Sequence, residues 1–211
     1  MGGWKKAILW LLLLLGVISG IGYGVFVDVW TITEEEPRLG AALAPNASIG
    51  DVVLISRGFG ARLGWLVRCS DPLQADRFVV GRVIGTYGQE LSIDRGRLTV
   101  NRHLASTTSS CLQTMVSVYN PAAGGEIDEY CSYEEVGSSR HATLALPNAV
   151  ETKFETRVLA GQVFLASDNR TLHYDSRDYG QVDPNTCQHI VYRLTGPNGW
   201  TDSDHRLTFL Y

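Results

Sequence analysis

Lysine is nearly missing from this 211-residue chain: Lys5, Lys6 and Lys153 are all there is. The formal net charge is −4, and the basic residues of the folded part are scattered instead of gathered on one face. Without a basic face to neutralise phosphates, nucleic acid is excluded as a partner. No repeat period appears, which sets aside solenoids and propellers. No pair of the four cysteines has the close spacing of a metal knuckle, so no metal site is expected, and no cofactor either.

What is present begins at the N-terminus. Lys5 and Lys6 precede an uncharged apolar run over 7–27, closed by Asp28. As a single helix, that run reaches about 30 Å, the thickness of a bilayer's hydrocarbon core. The flanking lysines place residues 1–6 in the cytoplasm and everything after 28 outside it. A cleavable signal peptide is the competing reading, because Gly16, Ser19 and Gly20 follow the leucine stretch. The run continues through Ile21, Tyr23, Val25 and Phe26, which suits a retained anchor in the inner (cytoplasmic) membrane carrying a periplasmic or otherwise extracytoplasmic domain.

With 45% hydrophobic residues the chain can bury one main domain with small attachments. From residue 51 onward short β-type runs alternate with turn residues and no long helical period appears, so the expected fold class is mainly β. Strands are expected at 51–56, 77–84, 90–93, 97–101, 115–119, 162–166 and 189–194. Arg95 and Gly96 form a tight hairpin between two of them. Residues 106–140 break the rhythm and read as an inserted loop or small subdomain. The polar stretch 196–211 reads as a tail. The parts are then an anchor at 7–27, a juxtamembrane segment at 28–50, a β core at 51–105 and 141–195, the insertion and the tail.

Cys69, Cys111, Cys131 and Cys187 all lie on the exported side, where disulfides form and persist. Three connectivities of two bridges exist. Cys111 with Cys131 closes a short polar loop and leaves Cys69 for Cys187.

Three segments carry a resemblance: IGDVVLI at 49–55, RFVVGRVIGTYGQELSIDRGRLTVN at 77–101, and SDNRTLHYDSRDYG at 167–180. In this order they resemble the motif boxes of type I signal peptidases, the serine/lysine-dyad enzymes. In the third box Asp168, Asn169, Arg170, Asp175, Ser176, Arg177 and Gly180 fall on that family's places. The resemblance implies coiled antiparallel sheets with a variable inserted region, and a site near the outer membrane surface. Read from the residues alone, two acids and two guanidiniums so close in sequence pair with one another and fix the shape of a loop, shaping a cleft and not contacting a ligand.

The family's nucleophilic serine precedes a Met, with a Pro two places beyond that Met; counted back from Gly50 and Asp51 through Pro45, its place is Ala42. The lysine's place, directly before an arginine, is Gly81. A methyl group cannot attack a carbonyl, and no other lysine stands in any box. Ser48 and His173 are the candidate substitutes, His173 standing where the family has a serine. Ser48 is displaced by six residues and its hydroxyl is expected to point elsewhere; His173 is expected to fill the space that the lysine left. Leu43 and Asn46 also depart from the family pattern. The resemblance and the two substitutions together imply a pseudoenzyme: a member without proteolysis that holds an exported polypeptide or serves as a subunit of a membrane-protein complex. The alternative is an active signal peptidase with a relocated nucleophile.

Overall fold

The computed structural model describes residues 3–34, 36–58, 60–74, 76–146 and 153–210. The chain opens with helix α1 (Gly3–Phe26) and passes with no intervening residue into β1 (Val27–Thr31). Among the described residues no helix is long and apolar enough to cross a membrane. Within the expected crossing at 7–27, the side chains of 17–19 and 21–26 lie outside the description. Its last residue, Val27, belongs to the sheet.

A short helix α2 (Leu39–Leu43) follows, then β2 (Val52–Ser56), β3 (Leu66–Ser70) and the long β4 (Phe78–Thr86). Next come β5 (Glu90–Asp94), β6 (Arg97–Val100), β7 (His103–Leu104), β8 (Ser106–Asn120), β9 (Gly125–Val136) and β10 (Ser139–Ala145). The chain closes through β11 (Phe154–Arg157), β12 (Val163–Ala166), α3 (Ser176–Tyr179), β13 (Gln188–Thr195) and β14 (Thr208–Phe209). The described architecture is mainly β and antiparallel, as expected.

The main sheet runs β1-β2-β13-β3-β4-β12, with β14 added to β13. β4 is flanked by β3 and β12, and its residues 79–85 are buried without alternation, the pattern of a strand covered on both faces. It joins three apolar clusters: Val80 packs with Val53, Ile55, Leu66 and Ile190, Val79 and Val83 with Leu165 and Val182, and Ile84 with Leu91, Leu98 and Phe164. A second sheet, β11-β5-β6-β7, carries the expected hairpin. Arg95 (φ 46°) and Gly96 (φ 75°) both sit in the left-handed region, as a two-residue turn matched to strand twist requires.

Residues 106–140, expected as an inserted loop or small subdomain, form most of a separate sheet, β10-β9-β8, which runs on to Ala145. β9 escaped detection because it is rich in Glu and Asp, which disfavour strands. Pairing on both sides and buried Cys131 and Val136 override that preference. The sheet also has apolar surface of its own: Val118, Cys131 and Leu144 pack on Ala41 of α2. The tail is likewise no appendage, since Thr208–Phe209 pairs with β13 and Leu210 is buried in the first apolar cluster. β1, β3, β7 and β11 are further strands that the alternation did not reveal. Both expected disulfides form, Cys69 to Cys187 and Cys111 to Cys131.

Candidate functional site

The third box folds as a loop after β12 that runs into and includes α3, and Asp168, Arg170 and Asp175 in it are buried. Asp168 takes a two-pronged bond from Arg82 of β4, with Nε to Oδ1 and Nη2 to Oδ2 both at 2.8 Å. The third arm of Arg82 donates to the Gly64 carbonyl at 2.8 Å. Burial alone would push the Asp168 carboxyl up; the Arg82 guanidinium holds it below its ordinary value. Asn46 adds a bond from Nδ2 to Asp168 Oδ2 at 2.7 Å and another to the Ala142 carbonyl, also at 2.7 Å.

Arg170 is fully buried and pairs with Glu134 of β9, while its Nη1 donates to the Ser167 carbonyl at 2.9 Å. Asn169 donates to Glu129 of the same strand, and its Oδ1 accepts the backbone N–H groups of Thr171 and Leu172. His141 of β10 lies between Glu134 (3.5 Å) and Asp168 (3.8 Å), with neither ring nitrogen hydrogen-bonded. Burial, and then the nearby Arg82, push its pKa down, against the pull of Glu134 and Asp168.

Within the box, Asp175 and Arg177 pair as expected, Nη2 to Oδ2 at 2.8 Å and Nε to Oδ1 at 3.0 Å. Asp175 also caps α3 and accepts the Ser167 N–H at 2.8 Å, and Ser176 Oγ accepts the Leu165 N–H at 3.0 Å. Asp168 and Arg170, however, find their partners outside the box. Sequence reasoning missed Arg82, Glu134, Glu129 and His141. The detectable signal was Arg82, a lone charge inside the apolar run VVGRVIG.

The two places expected for the dyad are tightly packed. Ala42 is 1% exposed, in α2, with its carbonyl accepting the Asn169 N–H at 3.0 Å. A Cβ added at Gly81 would lie 3.1 Å from Leu165 Cβ and 3.3 Å from the Ala166 carbonyl oxygen. His173 is held by Asp178. Its Nδ1 lies 2.9 Å from Asp178 Oδ2, Arg38 donates to Asp178 Oδ1 at 2.8 Å, and it lines a cavity of about 230 Å³ with Ala41 and Asn120. Burial would raise the Asp178 carboxyl, but His173, the Asp175 N–H and Arg38 hold it at about 2.

Ser48 lines a groove of about 570 Å³ whose walls are α2, with Gly40, Ala41, Ala44 and Pro45, and β8, with Val116, Ser117, Val118 and Tyr119. His205 lines the same groove, its Nδ1 held by Asp202 at 2.9 Å. Among the described residues no hydrogen bond joins Ser48 to His173 or His205. His173, Asp175 and Asp178 bring one ligand atom each within 4.8 Å of one another. Arg177 and Arg38 already engage these carboxylates.

A mainly β core of antiparallel sheets with an inserted region is the arrangement that the resemblance implied. Over residues 4–190 the chain matches the family model described as signal peptidase, peptidase S26, and it belongs to that family. No curated protein matches its sequence.

Proposed function

We propose that this protein is a non-cleaving member of the signal peptidase family, anchored in the membrane through α1, that holds an exported polypeptide or a membrane-protein partner. The observation that carries the reading is the tightly packed pair Ala42 and Gly81. Neither place offers a nucleophile or a base, and a side chain at Gly81 would press on Leu165 and the Ala166 carbonyl. Anchoring is supported by α1 itself, whose apolar residues 8–15 are exposed on every side, as suits a lipid environment and no aqueous one.

The test is to add the purified full chain in mild detergent to a synthetic 20-residue peptide spanning a signal-peptide cleavage site. Capture of the peptide without product is expected. Ala42→Ser with Gly81→Lys restores a trace of cleavage at most, because the new Cβ at 81 meets β12. Efficient cleavage by the unmodified protein would overturn the reading. It would favour the second one, an active peptidase through Ser48, which the shared groove of Ser48 with the Asp202-held His205 supports; then Ser48→Ala and either His173→Ala or His205→Ala abolish product.

A further inference from the structure

A sheet edge is a row of unsatisfied N–H and C=O groups, and proteins usually defend it by shortness, charge or proline. Most terminal strands here follow that rule. β7 has two residues and β12 four; β11 carries Glu155 and Arg157, β10 Arg140, and β1 Asp28, which pairs with Arg57. β8 does not. It is the last strand in the order β10-β9-β8, runs for 15 residues, and reads STTSSCLQTMVSVYN, with no charge and no proline. Its irregularities lie before Met115; residues 115–120 pair with β9 in unbroken register, so the open side of that stretch is a regular template.

The same stretch is one wall of the 570 Å³ groove. The facing wall is built of small side chains, Gly40, Ala41, Ala44 and Pro45, and among all the lining residues only Glu34 and His205 can carry charge. The strand edges beside the lost lysine are shut, because β4 pairs with β3 on one side and β12 on the other. The serine side offers none either, since Leu39–Leu43 is helical.

We propose that an extended, uncharged segment of an exported polypeptide adds to β8 as a fourth strand, lying between residues 116–119 and α2. Main-chain hydrogen bonds to the edge hold it with little regard for sequence, and the small residues of α2 restrict the side chains that face them. A second copy of β8 would bring its own β9 and hairpin into a slot that α2 closes, so the groove favours a single strand. This rests on the polypeptide-holding reading.

Hydrogen exchange on the full chain in detergent, with and without the 20-residue signal peptide, tests it. Exchange in residues 112–120 is expected to slow roughly tenfold on binding. Successive strand N–H groups alternate between the two edges, so one of Val116→Pro and Ser117→Pro removes a donor from the open edge and weakens capture, while the other breaks the β9 ladder. Captured peptide that protects a different segment overturns this inference and leaves the holding reading standing. No capture at all overturns the holding reading. Protection of β8 without peptide, rising with protein concentration alongside a dimer in light scattering, assigns the edge to a second copy and overturns the fourth strand.

Discussion

The root and the tip of the inserted sheet are built on opposite principles. At the root, Glu129 and Glu134 of β9 lock into the third box through Asn169 and Arg170, all buried, and His141 of β10 lies 3.8 Å from Asp168. Backbone bonds between Leu144 and both Asp168 and Arg170 reinforce the joint. At the tip, the 115–127 hairpin is held by its own ladder and by Val118 against Ala41, and its outer edge is bare. A buried ion pair adds little net stability but is costly to break, so it fixes geometry more than it adds strength. The root therefore sets where the sheet stands, and the tip is free to meet something else.

Breaking the root is expected to give the largest effect. Arg170→Met strands Glu134 without its guanidinium in the interior, a loss of about 3–5 kcal/mol in chemical denaturation. A loss below about 1 kcal/mol would mean that the joint is not locked by charge. Replacing Cys111 and Cys131 together by Ser opens a bridge of sequence separation 20. That costs roughly 3 kcal/mol, and hydrogen exchange should speed up in 111–131 while 167–180 stays protected. Equal loosening of both regions would erase the distinction between root and tip.

Acid sharpens the comparison. Burial depresses His141 at the root below its ordinary value and, stacked on Trp65 in the main sheet, His189 to about 4. As pH falls below the unfolded value of about 6.5, the unfolded chain takes up protons that the folded chain resists, so stability is full above that pH and falls below it. His189→Phe should remove that part of the slope which spans about 6.5 to 4, and a second, His141-dependent part should remain. An unchanged slope in the variant would show that His189 titrates normally. The smallest effect belongs to the tip: Ser117→Lys, on an exposed position, is expected to shift stability by no more than about 0.5 kcal/mol. A large loss there would mean that the edge is already covered within the molecule.

Much of this was legible in the chain because local pattern and global packing agree. Runs such as 52–56 and 78–84 combine β-branched residues with turn residues at their ends, and Arg95-Gly96 has the chemistry of its turn. The disulfides followed from which cysteines bracket the insertion. The root was not legible, because its partners are distant: Arg82 lies 86 residues from Asp168 and Glu134 lies 36 from Arg170. Glu129 and Glu134 read as surface acids, since nothing local distinguishes a carboxylate that will meet a buried guanidinium from one that will meet water. β14 was hidden for a related reason. Two residues cannot show a period, and only pairing with β13 beside the buried Leu210 reveals the strand.

Phe26 ends α1 and Val27 begins β1, with no residue between them to act as a swivel. In the anchored molecule that we propose, tilting α1 therefore levers β1, and through it the whole edge of the main sheet. The domain cannot wander on a tether and sample a hemisphere of space. If α1 anchors it as proposed, it presents one side to whatever passes, and a partner would find it by sliding and turning in the plane of the membrane, a search in two dimensions at a fixed height.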